Sequence, residues 1–320
     1  MRGSSRLQLW TALWIVYLVW GSTYLGIKLA VRTLPPLLTA GTRFLAAAGI
    51  LALIALVTRR SLRVAPREAL AAAGIGVALL TFGVGLVHVA ETRIDSGVAA
   101  MIAGSVPLQI VLLRRLVGER VPQATAVAAL VGLVGLALVV GPSFGGGSEA
   151  VGLLVMLCAS VSWSLGSFAS RSLRLPRDAL VASTYEMLGG GAVLVVVASL
   201  AGELGDLDGD ALQPGPLAAW AYLAVVGSVI GFSAYSWLLG NAPISQVVTH
   251  QYVNPLVAVA LGALVLDERP GPATLAGAAL IVGAVAVTAS REGRTEAPAP
   301  KPTSRPASAA PRETRADPTG

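Results

Sequence analysis

The sequence predicts an all-α integral membrane protein with ten transmembrane helices arranged as two inverted five-helix repeats. Three observations carry that prediction. Hydrophobic residues make up 55% of the 320 positions and charged ones only 12%, where soluble domains carry about 25% charged residues. The chain divides at its charged and Pro/Gly-rich breaks into ten apolar segments, each near the roughly 20 residues that cross a bilayer core about 30 Å thick. Finally, the motifs of the first half recur in order in the second.

The ten segments lie at roughly 9–31, 37–57, 68–88, 96–116, 121–140, 151–170, 179–201, 216–239, 244–266 and 270–289. The first follows Met1-Arg-Gly-Ser-Ser-Arg6 and resembles a secretory signal. It outlasts the roughly 7–15 residues of a signal core and has no Ala-x-Ala-like site after it, so it reads as a transmembrane helix. Thirty-six glycines suit helices packed closely in lipid, and Gly227-Ser-Val-Ile-Gly231 fits the small-xxx-small pattern of such contacts. Beyond Ser290 the chain turns polar and Pro-rich, so 290–320 is expected to be a disordered cytoplasmic tail.

Basic residues set the orientation. One set of connections holds Arg2 and Arg6, then Arg59, Arg60, Arg63 and Arg67, then Arg114, Arg115 and Arg120, then Arg171, Arg174 and Arg177. The other set holds only Lys28, Arg32, Arg93 and Arg269, and the loop Gly202–Asp210 has no basic residue. Both termini are therefore expected in the cytoplasm. The net charge of +6 reads as topology and not as a nucleic-acid signal.

The repeat is visible in paired motifs. Ile94-Asp-Ser96, Val106-Pro107 and Gly118-Glu119-Arg120 are echoed by Pro243-Ile-Ser245, Asn254-Pro255 and Asp267-Glu268-Arg269, and Trp20-Gly-Ser-Thr by Trp163-Ser-Leu-Gly. The first repeat spans 9–140 and the second 151–289. Five helices per repeat is an odd number, so the second must lie upside down. Inverted repeats build many secondary transporters, whose substrate site lies near the midplane where the repeats meet.

Trp20-Gly-Ser-Thr-Tyr-Leu-Gly-Ile-Lys28, Leu34-Pro-Pro with Arg43-Phe44, Val106-Pro107, Gly118-Glu119-Arg120, Gln251-Tyr-Val-Asn-Pro255 and Leu266-Asp-Glu268 together resemble the ten-helix EamA-type branch of the drug/metabolite transporter superfamily. The resemblance covers about 10–290. It implies an inner-membrane carrier of small metabolites, often an exporter of amino acids or related compounds. Glu186 departs from the neutral amide that the resemblance implies in the seventh helix.

Polar residues inside the apolar segments are the candidate site. A charge at the membrane centre costs about 2.5–3.5 kcal/mol on insertion scales. Trp14, Tyr17, Gly21, Tyr24 and Lys28 recur at three- and four-residue steps and share one helix face. That face is assigned to the bundle interior, with Lys28 either lining a cavity or snorkelling to the headgroups. Arg43, two turns into its segment, suits a carboxylate partner or a structural ion pair. With Lys28 it predicts a cationic half-site for anionic or zwitterionic cargo. Glu186 reads either as a proton-coupling carboxylate or as the partner of Lys28 or Arg43. Thr249-His250-Gln251-Tyr252-Val253-Asn254-Pro255 is the most polar stretch of any segment. His250, Gln251, Tyr252 and Asn254 join the candidate substrate contacts, as does Tyr235. Pro107 and Pro255 are expected helix bends, because proline removes a backbone donor.

One Cys and two His exclude a disulfide framework and a Cys/His zinc site. With no catalytic triad, phosphate-cradling loop or carboxylate cluster, no enzyme, cofactor or metal is expected. The expected function is secondary active transport of a small organic metabolite, with proton coupling possible through Glu186 and the lipid bilayer as surroundings. A lipid flippase or a non-transporting membrane sensor or scaffold is the alternative.

Overall fold

The computed structural model describes residues 6–141, 147–207, 209, 212–242, 244–247 and 249–295. It is all-helical, with no strand among the described residues. Eight helices are long and apolar enough to cross a membrane: α1 (Arg6–Ala30), α2 (Pro36–Val57), α3 (Pro66–Glu91), α4 (Ser96–Leu116), α5 (Gln123–Val140), α6 (Gly147–Ser170), α7 (Ala179–Leu200) and α8 (Pro214–Leu238). After them come the short α9 (Ile244–Val247) and two further apolar helices, α10 (His250–Leu266) and α11 (Pro272–Thr295). Helix starts follow local chemistry. Prolines open α2, α3, α8 and α11 at the first turn, where their missing N–H is not needed. Asp178 caps α7 by accepting from Leu180 N at 3.0 Å.

Two segments depart from α geometry. Val77–Gly85 of α3 and Leu223–Ile230 of α8 are π-helical, a rare, wider winding found mostly at functional places. In α8 the Ser228 hydroxyl follows that winding and donates to Leu223 O at 3.0 Å. Nothing in the apolar pattern of either segment announces it.

Helices of one half pack mainly on helices of the other. The most extensive pairs are α5 with α11 and α2 with α7, followed by α3 with α7, α1 with α10, α6 with α3 and α1 with α8. Two close approaches depend on glycine. A Cβ on Gly135 would stand 2.7 Å from Gly277 O, so α5 and α11 meet backbone to backbone. Gly76 of α3 likewise lies directly against the Glu186 backbone of α7. Gly227 and Gly231 receive α1, since their Cβ positions are filled by Thr23 and Trp20, as the small-xxx-small pattern anticipates.

Three boundaries differ from the sequence reading. The segment expected at 244–266 is divided near Thr249, leaving α10 with 17 residues. α10 runs unbroken through Pro255, whereas α4 is interrupted at Gly104–Ser105, immediately before Pro107. α11 stays helical to Thr295, past the expected start of the tail; residues 296–320, with the rest of that tail, lie outside the described residues. Pro243, Asp208 and Asp210 also lie outside them.

Candidate functional site

The predicted site residues fall into two clusters. The first is aromatic and lies between α1, α8 and α10. Trp20 of α1 stands at its centre, with ring centroids 5.0 Å from Tyr235, 5.2 Å from His250 and 5.3 Å from Phe232. Tyr235 and His250 are 5.6 Å apart, edge to face. Trp20 Nε1 donates to Gly227 O at 3.3 Å. Tyr17 is buried and its hydroxyl hydrogen-bonds Thr249 Oγ1. Asn254, its amide oriented as its neighbours require, donates to the carbonyls of Tyr17 (3.3 Å) and His250 (3.1 Å). His250 Nδ1 lies 2.8 Å from Val247 O; a carbonyl only accepts, so Nδ1 carries the hydrogen. These contacts tie the polar stretch around Thr249 to α1 across the two halves.

Not every residue of the predicted α1 stripe is interior. Tyr17 and Gly21 are buried and Tyr24 is half-buried against the main core. Trp14, by contrast, is 53% exposed and touches the cluster only edge-on, 5.7 Å from Tyr17. Its helical register is right, but more than half of its surface is left uncovered. Gln251 and Tyr252 are half-buried at the start of α10, Tyr252 against the main core.

The second cluster is charged and lies where α1, α2 and the end of α3 meet. Lys28 Nζ donates at 2.7 Å to Glu91 O and at 2.7 Å to Ile94 O. These are carbonyls at the C-terminus of α3, where a cation also meets the negative end of the helix dipole. Lys28 thus serves as a cap and its ammonium does not pair with Glu186. Arg43 is 5% exposed, its guanidinium 4.4 Å over the Phe44 ring. Beside it are His88 and Glu91, both 0% exposed. Lys28, Glu268 and Arg43 all act electrostatically on Glu91, and Arg43 acts on His88.

Glu91 was missed as a site residue because α3 runs three residues further than its apolar window suggests, and His88, the last residue of that window, had no visible partner without it. That extension takes Glu91 from a presumed loop into the protein interior. The signal available was their spacing: three residues apart, they share a face once the helix is known to continue.

Carboxylates from the second half close this end of the bundle. Glu268 accepts from Ser96 N (2.8 Å), Ser96 Oγ (2.9 Å to each oxygen) and Gly97 N (3.0 Å), which caps α4. Glu203 accepts from Leu37 N (3.2 Å) and Leu38 N (2.7 Å), which caps α2. Anions at helix N-termini satisfy free N–H groups and meet the positive dipole end. Asp95, exposed between α3 and α4, is raised above the usual carboxylate range, first by desolvation and then by the neighbouring Glu268 charge. At the opposite end, Arg60 pairs with Asp178 at 2.9 Å and Glu119 bridges Arg114 (2.8 Å) and Arg171 (3.4 Å).

Glu186 belongs to neither ion network. It is half-buried on α7, with no ion pair among the described residues, and its charge acts on Tyr235. A separate polar knot joins α4 to α6: Gln109 Nε2 donates to Ser105 Oγ (2.9 Å) and Ser160 Oγ (3.0 Å), and Ser164 Oγ donates to Gln109 Oε1 (2.9 Å).

Comparison with known proteins agrees with this architecture. The sequence profile of the EamA-like transporter family matches the chain twice, over residues 9–141 and 150–290. A relative from Escherichia coli strain K12, the uncharacterized inner membrane transporter YedA, is 38% identical over 270 residues, covering 82% of this chain and 84% of the relative. A probable amino-acid metabolite efflux pump of the same strain is 24% identical over 278 residues, covering 84% and 90%. A solved crystal structure superposes with a TM-score of 0.62 at 23% identity, over 92% of this chain and 100% of the other, a likeness of fold. This multi-pass membrane protein, a transporter by kinship, belongs to the EamA-like transporter family.

Proposed function

We propose that the protein is a secondary active transporter that moves a small organic metabolite, an amino acid or related compound, outward across the inner membrane. Its two inverted five-helix repeats, over 9–140 and 151–289, alternate access to a site at their interface, and both termini lie in the cytoplasm. One observation carries this reading: the halves pack on each other in a pattern preserved when they are exchanged. α2 meets α7 and α5 meets α11, while α3 with α7 answers α2 with α8, and α1 with α10 answers α6 with α4. The π-helical segments of α3 and α8 fall in corresponding helices and support it. Such a pair of bundles can exchange shapes around a fixed site.

The cargo contacts we infer are Tyr17, Tyr24, Tyr235, His250, Gln251, Tyr252 and Asn254, with Trp20 added and Trp14 at the margin. Lys28 and Arg43 hold the cationic end, and the backbone breaks near Pro107 and before Pro255 give the site room to change shape. Glu186, half-buried beside Tyr235, is the proposed proton-coupling carboxylate. The test is a metabolite screen in liposomes holding the full chain, with and without a proton gradient. Wild-type flux should follow the gradient, and Glu186→Gln should abolish that dependence while the protein stays folded. A Glu186→Gln carrier with unchanged pH dependence removes Glu186 from the mechanism. A cargo set without any anion or zwitterion removes the cationic half-site.

A further inference from the structure

Helix packing does not account for the state of the second cluster. Both oxygens of Glu91 are buried without a donor, Arg43 Nε and Nη1 are buried without an acceptor, and His88 Nε2 is buried with no partner. Buried polar groups in native proteins are nearly always hydrogen-bonded. Three side chains left open in one place are therefore the marks of a site and not of a finished core.

The surrounding charges are already engaged. Lys28 is held by the Glu91 and Ile94 carbonyls, and Glu268 by Ser96 and Gly97. Facing Glu91 are Tyr24 and Lys28 from α1, Arg43 from α2 and Glu268 from beyond α10. α4 and α6 also pack near the end of α3; the acid that α6 brings, Glu149, acts on Asp95 instead. His88, one turn before Glu91, has Nδ1 2.8 Å from Val84 O. That carbonyl can only accept, so Nδ1 bears the hydrogen and Nε2 is a bare lone pair.

We propose that Glu91, with Arg43 and His88, is a buried proton-exchange site, separate from Glu186. In one state Glu91 is a carboxylate steadied through space by Arg43 and Lys28. In the other it has taken a proton from hydronium, one hydronium O–H bond breaking to leave water as the carboxyl O–H forms, and the neutral acid sits at low cost in a dry interior. The new O–H gives the cluster the donor that His88 Nε2 lacks, and loss of the Glu91 charge leaves the Arg43 cation, whose Nε and Nη1 have no acceptor, to an anion. Release of the proton to water restores the carboxylate. The Lys28 bonds to the carbonyls of Glu91 and Ile94 and the Glu268 cap on α4 cover this end of the bundle. Exchange with that side therefore requires those contacts to part, as alternating access would make them do. Only this last link rests on the transporter reading.

The experiment is infrared difference spectroscopy of the purified full chain between acid and alkaline pH, with Glu91→Gln and Glu186→Gln beside it. The expected result is a protonated-carboxyl band from a buried group that is lost on alkalinisation, shifts in heavy water, persists in Glu186→Gln and is missing in Glu91→Gln. That difference amounts to one titrating proton per chain. If the band that persists in Glu186→Gln also survives in Glu91→Gln, or if no buried band appears at any pH, the proposal is overturned. Should Glu91→Gln fail to fold, Glu91→Asp must move the band, and an unmoved band overturns it equally. A band that behaves as expected in a chain that carries no metabolite leaves the proton site standing and defeats the transporter reading.

Discussion

α2 and α7 pack along each other, and each carries a charge at its eighth residue: Arg43 counted from Pro36, Glu186 counted from Ala179. The helical positions match, but the surroundings do not. Arg43 is 5% exposed, with His88 and Glu91 beside it. Glu186 is half-buried, and its charge acts on Tyr235. The same position in two packed helices thus holds charges of opposite sign in unlike settings. Depth along a helix says that a charge is expensive; only the neighbouring helices say whether it is paired, open or solvated.

The comparison is broken most forcefully by removing each charge in turn. Arg43→Met leaves Glu91 buried without its guanidinium, and an uncompensated buried charge typically costs about 3–5 kcal/mol. Adding Glu91→Gln should recover a large part of that loss, with a coupling above about 1 kcal/mol in the double-mutant cycle. Glu186→Met, at the matching position of α7, should cost much less because no ion partner is stranded. Thermal unfolding in a single detergent measures all four variants. Equal losses for Arg43→Met and Glu186→Met, or additivity of the first pair, would show that the two settings are alike after all.

How much of this was legible in the sequence depends on the kind of information involved. Apolar length is local, so the helical membrane fold could be read directly. Lys28, Arg43 and Glu186 stood out because a charge in an apolar window is costly wherever it points. What stayed hidden was relational. Lys28 looked like a cavity or headgroup residue because its partners, the Glu91 and Ile94 carbonyls, are backbone atoms at the end of another helix and in the turn after it. Glu91 looked like a loop residue next to Thr92 and Arg93, since one further turn of α3 leaves no hydropathy signal. Trp14 shared the register of Tyr17 but not its neighbours. The break near Thr249 lies upstream of Pro255, where proline chemistry alone could not place it.

A second comparison, smaller in energy, sets Glu268 against Glu119, both followed by arginine after an apolar helix. Glu268 is half-buried and satisfies two backbone N–H groups and a hydroxyl at the start of α4. Glu119 meets the arginine side chains of Arg114 and Arg171 near the surface. Glu268→Gln should cost about 1–2 kcal/mol, the range of charge-assisted bonds and helix caps. Glu119→Gln should cost little, since exposed pairs contribute little. Hydrogen exchange at Ser96 and Gly97 checks the first directly: protection there should fall in Glu268→Gln and stay unchanged in Glu119→Gln.

The finest distinction is in pH dependence, where two carboxylates outside the spans are displaced in opposite directions. Hydrogen bonding from Arg114, aided by Arg171, holds Glu119 below the usual carboxylate range. A depressed group stabilises the fold above its unfolded pKa, and that stability is lost as pH falls through the lowered one. Asp95 is raised by desolvation and by Glu268. Its folded form resists ionisation, so stability declines as pH rises from the ordinary aspartate value through the raised one. Asp95→Asn should therefore raise the melting temperature slightly at neutral pH and leave it unchanged in strong acid. Glu119→Gln should lower it slightly at neutral pH and flatten the acid limb. Melting curves over a pH series separate the two. Asp95→Asn should also give less benefit in a Glu268→Gln background, because the charge that opposes Asp95 is then gone. An undiminished benefit would leave desolvation, with Glu149, as the cause of the Asp95 shift.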